Sequence, residues 1–414
     1  MASKVEKFKS AGKGYGLRAT STVSPGEVLY VSEPFSYTVN ETGRGLVCEF
    51  CLCTPDRLLQ CSQCKFAKYC SKQCQRESWR DHKRECTFLK NPQFGTGILR
   101  LVGKIVFKIL RKSSCPSEEL YSVSDLEANL EKMSNENRIE FERYGMLLQH
   151  FLKDEIVSQL PAHIKPSDLF AKVSYNAMQI EDGAVLSVAI GLYPSMSLVN
   201  HSCDPNCVTL FMGRHVHLRA IKNIKAGDEL TIQYTETMRP TEERQRELMR
   251  IYCFECDCHR CQTRDKDDKM LAGDKQASDE TKALVSKVLE LQESKKWKES
   301  LALCRDQLKR NSGRVPDENI YQLQILDYAM EACMALNLLD EALQIGYRTL
   351  APYRLYASGV SRNGALKLMH LGFILYKKNK RQEAIKTLKE AFDVLRIFFG
   401  TDHLMTKDVL GILK

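Results

Sequence analysis

No run of about 18 apolar residues occurs anywhere in the 414-residue chain, so no membrane-spanning helix is expected. The first residues, Met1-Ala2-Ser3-Lys4-Val5-Glu6-Lys7, contain no apolar leader, which argues against secretion and for an intracellular protein. Charge of one sign is also modest. The excess of 61 Lys and Arg over 52 Asp and Glu permits acidic partners without naming one. In a reducing compartment disulfides are not expected, yet there are 17 cysteines, and these need another purpose.

Their distribution supplies it. Eight lie between Cys48 and Cys86, six between Cys203 and Cys261, and only Cys115, Cys304 and Cys333 stand apart. The first cluster reads Cys48-x2-Cys51, Cys61-x2-Cys64, Cys70-x3-Cys74 and His82-x3-Cys86. Zinc takes four soft ligands in a tetrahedron, and a C-x2-C turn offers two thiolates to one ion, so four pairs imply two ions. Cys53 falls outside this pattern and reads as a free thiol. So small a module has too little apolar mass for a core, and metal supplies its folding energy. Lys65, Lys68, Lys72, Arg76, Arg80, Lys83, Arg84 and Lys90 make it basic, with Tyr69 and Trp79 as aromatic surfaces. Either a solvated face or a dock for a proline-rich peptide or DNA fits that composition. In the second cluster Cys256, Cys258 and Cys261 leave a tetrahedron one ligand short. Cys203 is the candidate fourth, with Cys207 and Cys253 as spares.

Between and around these clusters the pattern alternates. Residues 1–44 read as short strands with a glycine turn, Gly12-Lys13-Gly14-Tyr15-Gly16. Residues 95–180 read as largely helical. Ile98, Leu101, Val102, Ile105, Val106, Ile109 and Leu110 form one stripe, Ser124 to Glu127 a helix cap, and Met146, Leu147, His150 and Phe151 a second stripe with His150 packed. Strands are expected over Val185 to Ile190, Arg214 to Ile221 and Leu230 to Tyr234, a helix over Thr241 to Ile251, and a polar connector over 262–280. Beyond it, Lys298-Glu299-Ser300-Leu301, Asp340-Glu341-Ala342-Leu343 and Gln382-Glu383-Ala384-Ile385 recur every 42 residues, with Leu308, Leu350 and Phe392 in register. That period signals stacked helix pairs, similar to tetratricopeptide repeats but longer.

Two further motifs carry the chemistry. Asn200-His201-Ser202-Cys203-Asp204-Pro205-Asn206 ends an apolar run, and Gly227-Asp228-Glu229-Leu230-Thr231-Ile232-Gln233-Tyr234 follows. Together with Tyr252-Cys253-Phe254-Glu255-Cys256-Asp257-Cys258, they resemble the signature of SET-domain lysine methyltransferases. The eight finger ligands resemble a MYND zinc finger, and the order of segments resembles the SET and MYND domain-containing (SMYD) family over nearly the whole chain. The resemblance implies an α+β multidomain fold. Its SET domain (1–44 and 181–240) is split by a MYND finger (45–90) and a helical insert (91–180), then followed by a post-SET zinc segment (241–270) and an all-α TPR-like domain (271–414).

It also implies an S-adenosyl-L-methionine-dependent protein-lysine N-methyltransferase and chromatin regulator, with three structural zinc ions. Interleaved pairing gives Cys48, Cys51, Cys70 and Cys74 to the first ion and Cys61, Cys64, His82 and Cys86 to the second; Cys203, Cys256, Cys258 and Cys261 hold the third. Tyr234 and Tyr252 take the catalytic positions. Lys13, Tyr15, Tyr121, Asn129, Asn176, Asn200, His201, Tyr234 and Phe254 are the cofactor residues. Met178, Ile180 and Ser197 line the lysine channel with the two tyrosines. The glycine turn departs from the family in carrying Tyr15 where Arg or Asn is common. Implied partners are histone tails and signalling proteins as substrates, proline-rich peptides or DNA at the finger, and a peptide or chaperone at the C-terminal helices of a monomer. A non-catalytic adaptor using the finger and repeats is the alternative.

Overall fold

The computed structural model describes residues 3–90, 97–111, 115–161, 164–356 and 360–414. The expected start of the helical insert at 91–96 lies outside them. No described helix is long and apolar enough to cross a membrane.

The first strands, β1 (Val5–Ser10) and β2 (Gly14–Ala19), form a hairpin with Ser10 opposite Gly14. Gly12 and Gly14 have φ of +73° and +78°, the left-handed region that glycine enters without steric cost. Next come β3 (Val28–Ser32) and β4 (Ser36–Val39), whose sheet partners lie some 150 residues or more downstream. The finger follows, with β5 (Leu59–Gln60), β6 (Lys68–Tyr69) and α1 (Lys72–Glu85). Ser71 caps α1 by accepting from the Cys74 N–H at 3.1 Å. The finger's buried cluster consists largely of would-be ligands, Cys48, Cys61, Cys64 and Cys86, with Ala67, Tyr69 and Leu89.

The insert holds α2 (Gly97–Leu110), α3 (Asn135–Val157) and α4 (Pro166–Asn176). In α2, Leu101, Val102, Ile105 and Val106 are buried as their spacing predicts, while Ile98, Ile109 and Leu110 pack half-buried against the same core. α3 corrects the expected stripe. Met146 is 65% exposed, and Leu147 and His150 are also exposed, whereas Leu148 and Leu152 are buried with Phe141, Tyr144 and Phe151 beside them. The buried face runs through 141, 144, 148, 151 and 152, and of the residues expected on it only Phe151 lies there. Ser124 to Glu127 caps no helix. Asp125 instead accepts from the Ser122 N–H (2.9 Å) and hydroxyl (2.6 Å) in a turn, and the Ser134 hydroxyl accepts from the Asn137 N–H at the start of α3.

The chain then returns to sheet with β7 (Ala177–Glu181), β8 (Ser187–Leu192), β9 (Asn200–His201), β10 (Cys207–Met212), β11 (His215–Ala220) and β12 (Thr231–Ile232). The strand expected from Val185 starts at Ser187, because Val185 sits in a turn with φ of +65°. β8 pairs with β4 and β7, and β11 with β3 and β10. Leu230 N–H donates to Leu17 O (2.8 Å) and Ala19 N–H to Asp228 O (3.0 Å), which ties the opening hairpin to the Gly227–Tyr234 motif. Leu17, Val23, Leu29, Val188, Tyr193, Val216, Leu218 and Leu230 fill the space between these sheets.

After α5 (Thr241–Tyr252) comes α6 (His259–Thr263), and the expected connector over 262–280 contains its last turn, α7 (Asp267–Met270) and the start of α8 (Lys275–Glu293), capped by Asp274. The remaining helices are α9 (Trp297–Arg310), α10 (Ile320–Ala335), α11 (Leu339–Tyr356), α12 (Arg362–Lys377), α13 (Arg381–Phe398) and α14 (Leu404–Leu413). The 42-residue period recurs in the backbone. Lys295, Asn337 and Asn379 all turn through φ of +56° to +59° just before α9, α11 and α13. Ser300, Ala342 and Ala384 are completely buried in phase, where only small side chains let neighbouring helices approach. Ile385, in the last repeat, is 49% exposed.

Candidate active site and metal centres

Three groups of cysteine and histidine come together: Cys48, Cys51, Cys70 and Cys74; Cys61, Cys64, His82 and Cys86; and Cys203, Cys256, Cys258 and Cys261. Within each, the candidate ligand atoms all lie within 4.8 Å of one another. A tetrahedron with Zn–S bonds of 2.3 Å has edges of about 3.8 Å. The separations Cys51–Cys70 (3.6 Å), Cys61–Cys86 (3.9 Å), Cys64 to His82 Nε2 (3.6 Å) and Cys203–Cys261 (3.6 Å) match that edge. The donors therefore fit three zinc ions, paired as the resemblance implied.

Charged residues that the cysteine pattern did not reveal surround these centres. Glu85 Oε1 lies 3.2 Å from His82 Nδ1, leaving Nε2 toward the thiolates, as a metal-binding histidine requires. Arg100 of α2 grips Glu85 and Glu49 through four hydrogen bonds of 2.8–3.1 Å, all buried. Burial alone would raise the Glu85 carboxyl, but the Arg100 and Lys104 charges overcome it and hold the group well below the usual carboxylate range. At the third centre the fully buried Arg244 directs Nε at Cys203 Sγ (3.2 Å) and Nη2 at Cys261 Sγ (3.6 Å). A cation there offsets the net negative charge that four thiolates leave on a divalent ion.

The two sequence motifs meet next to this centre. β9 and β12 pair in parallel, with Asn200 opposite Thr231 and His201 opposite Ile232. Asn206 locks them further, donating to Glu229 O (2.8 Å) and accepting from the Thr231 N–H (2.9 Å). The His201 ring is buried, with Nδ1 accepting from the Tyr234 N–H at 2.9 Å and Nε2 at 3.3 Å from Cys203 Sγ. Burial pushes its pKa down to about 4, so the ring is neutral and positions Tyr234.

One cavity of about 430 Å³ is lined by Lys13, Tyr15, Tyr121, Asn129, Asn176, Asn200, His201, Tyr234 and Phe254 together. These come from the glycine turn, the insert, the Asn-His turn and the post-zinc segment. Glu229 holds Asn200, one of the lining residues. Its Oε1 accepts from Ser10 Oγ (2.9 Å) and Asn200 Nδ2 (2.8 Å), and a Cβ on Gly16 would come within 2.9 Å of the same oxygen. A side chain at position 16 would therefore have to push aside the Glu229, Phe8 and Asn200 side chains. Lys13 lies 3.9 Å from Glu229 and 3.7 Å from Asp257, bridging the first and last walls. Asn176 Nδ2 donates to Lys172 O (2.8 Å), which fixes its side chain at the end of α4. Tyr15 is 49% exposed at the mouth, 6.4 Å from Tyr121, and Lys7 lies 4.6 Å above its ring.

A second cavity of about 440 Å³ lies behind the first and shares Tyr175, Asn176, Ser197, Tyr234 and Tyr252 with it. The Tyr234 and Tyr252 rings are 4.9 Å apart where the two spaces meet. Tyr234 donates its hydroxyl to Val199 O at 2.6 Å, and burial keeps that hydroxyl protonated. Met178 and Ser197 line this second space. Ile180 does not. It is fully buried in the sheet core, one β-strand repeat past Met178, and Gln179 and Glu181 line the cavity instead. Among the other lining residues that sequence patterns did not single out, three matter most for the shape of this space. Tyr175 stands at the junction, while Arg362 and Phe398 reach in from the C-terminal helices, with Arg362 3.4 Å from Glu181. Tyr175 lies one residue before Asn176, the single local signal available for it.

A family model described as SET domain matches residues 14–235. The chain is 44% identical over 415 residues to the human histone-lysine N-methyltransferase SMYD3, covering 99% of this chain and 97% of that one. It is 43% identical over 417 residues to the mouse protein of the same description, covering 100% and 97%. To the human N-lysine methyltransferase SMYD2 it is 31% identical over 418 residues, covering 96% and 95%. With the SET motifs, the finger and the post-SET cysteines assembled in one molecule, the chain belongs to the SMYD family of SET-domain protein-lysine methyltransferases.

Proposed function

We propose that this chain moves a methyl group from S-adenosyl-L-methionine to the ε-amine of lysine in histone tails or signalling proteins, with the residues that line its two cavities in the roles given below. The observation that carries this reading is two cavities of similar size meeting at the Tyr234–Tyr252 pair. When bound, the cofactor supplies an electrophilic methyl. Lys13, Tyr15, Tyr121, Asn129, Asn176, Asn200, His201 and Phe254 would hold it in the first cavity. The lysine would enter through the second, past Met178 and Ser197.

A free lysine has a pKa of about 10.4 and is a nucleophile only when neutral. The buried tyrosine faces disfavour the ammonium form, and the junction restricts the amine to one line of approach. The protonated Tyr234 hydroxyl, anchored on Val199 O, serves as an orienting group rather than a base. The same contacts support reading 1–44 and 181–240 as one domain divided by 45–90 and 91–180. The exposed Lys72, Arg76 and Trp79 support a docking role for the finger toward DNA or a proline-rich peptide.

The test is methyl transfer from labelled cofactor to histone and lysine-peptide mixtures, with calorimetry of cofactor binding. Transfer together with binding is expected. Absence of both refutes the enzymatic reading and leaves the adaptor.

A further inference from the structure

We propose that Cys53 turns the finger's first metal centre into a five-thiol, peroxide-sensitive element, in which oxidation joins Cys51 to Cys53 and displaces the ion. The proposal rests on the reading of Cys48, Cys51, Cys70 and Cys74 as a zinc site.

A tetrahedral ion uses four donors, and the interleaved pattern provides four without Cys53. Its Sγ nevertheless lies 3.2 Å from Cys51 Sγ, as close as the ligands lie to one another. The backbone sets this approach. Cys48 N–H donates to Cys53 O (2.9 Å) and Leu52 N–H to Cys48 O (3.0 Å), so the loop curls back on itself. Leu52 adopts φ of +60° with its side chain buried, which leaves the exposed Cys53 thiol beside the half-buried Cys51 thiol. Of the 17 cysteines, Cys53 alone is exposed; Cys207, Cys253, Cys304 and Cys333 are buried and Cys115 half-buried. Exposure and thiolate character together govern which thiol is oxidised, and a neighbouring thiol resolves it; Cys53 supplies the exposure and Cys51 the neighbour.

The chemistry balances with a hydroperoxide as oxidant. The Cys53 thiol first gives its proton to solvent; the thiolate attacks the peroxide, the O–O bond breaks, and the departing hydroxide takes up a proton as water, giving a sulfenic acid. The Cys51 thiolate then attacks that sulfur; an S–S bond forms, the S–O bond breaks, and hydroxide takes up a solvent proton. Two thiols become one disulfide and one peroxide becomes two waters. The ion is left with Cys48, Cys70 and Cys74 and passes to any competing ligand. Glu49 belongs to the same loop and clamps Arg100 of α2 at 2.9 and 3.1 Å, so the change reaches the contact between finger and insert.

Full-length, zinc-loaded protein is titrated with hydrogen peroxide while a chromogenic chelator reports released zinc and peptide mass mapping locates the disulfide. Wild type should lose one ion at the dose at which the 51–53 peptide becomes two hydrogens lighter. Cys53→Ser, still carrying three ions, should need about tenfold more peroxide, and Cys115→Ser should match wild type. Equal doses for wild type and Cys53→Ser, or a disulfide mapping to another pair, overturns the proposal. If the untreated protein binds fewer than three ions and Cys48, Cys51, Cys70 and Cys74 alkylate freely, the metal reading itself has failed.

Discussion

Arg244 gives the sharpest test of how the third metal centre is held. Four thiolates around a divalent ion carry two net negative charges, and Arg244 meets them with no solvent exposure at all. Two of its nitrogens reach Cys203 and Cys261 (3.2 and 3.6 Å), Nη2 also donates to Thr241 Oγ1 (3.0 Å), and Nη1 donates to Arg239 O. Arg244→Met keeps much of the volume and removes the charge. One unit pair about 4 Å apart at an effective dielectric of about 20 is worth about 4 kcal/mol. Truncating one partner of a buried pair costs about 3–5 kcal/mol, a similar figure. At about 1.4 kcal/mol per factor of ten, the expected result is a loss of at least about 100-fold in zinc retention at this site, the upper end of what removing a supporting group costs. The melting temperature should fall by about 5 °C. Chelator competition with zinc counted per chain, beside a thermal melt, measures both. Arg244→Lys should fall between, since a point charge replaces a planar fork. If Arg244→Met holds three ions against the same chelator and melts with wild type, the charge-compensation argument is wrong.

Tyr234→Phe should lower turnover about 100-fold while the fold survives, because the variant loses the hydroxyl anchor on Val199 O; full activity would show the role to be misassigned. Arg100→Met should cost about 3–5 kcal/mol by stranding Glu49 and Glu85, read as earlier unfolding of the finger in a melt; an unchanged melt refutes it. In wild type the depressed Glu85 carboxyl contributes stability above its unfolded pKa of about 4.3, lost as pH falls through and below that value. Burial lowers His370 to about 4 with Nδ1 unpartnered, so the neutral form is the folded form. Stability should therefore decline by up to about 3 kcal/mol as pH falls from about 6.5 to about 4, and His370→Leu should flatten that decline in denaturant titrations at each pH. Cys203→Ser should lose one zinc per chain and most activity; wild-type zinc content with full turnover breaks the proposed link between this ion and the tyrosine pair.

What the sequence disclosed was local. C-x2-C and C-x-C-x2-C spacings are short-range, and a 42-residue period survives in any register, so the ligand sets and stacked helices could be read directly. The charged partners of those ligands could not. Arg100 is 15 residues from Glu85 and 51 from Glu49, and nothing in α2 sets it apart from surface arginines. The slip in α3 has a plain cause: Met146, Leu147 and Leu148 are consecutive, and only packing against α2 and α4 chooses Leu148. Ser124 resembled a cap because serine and aspartate favour turns and helix starts alike, and here the turn won. Ile180 shares a strand face with Met178, but Tyr193 and Gly191 close over it while Met178 stays at the open end.

The tie between Leu17–Ala19 and Asp228–Leu230 has a consequence for the order of synthesis. At about 5–20 residues per second, the opening hairpin leaves the ribosome roughly 10–40 s before the segment that completes its sheet. The finger, whose contacts are mostly local, can capture its metal in that interval, but β3 and β4 wait with unpaired edges for β11 and β8. A nascent chain stalled before residue 187 therefore displays exposed strands beside a finished finger. Until the sheet closes, those edges offer unpaired backbone groups to any other extended chain, and closure removes that hazard.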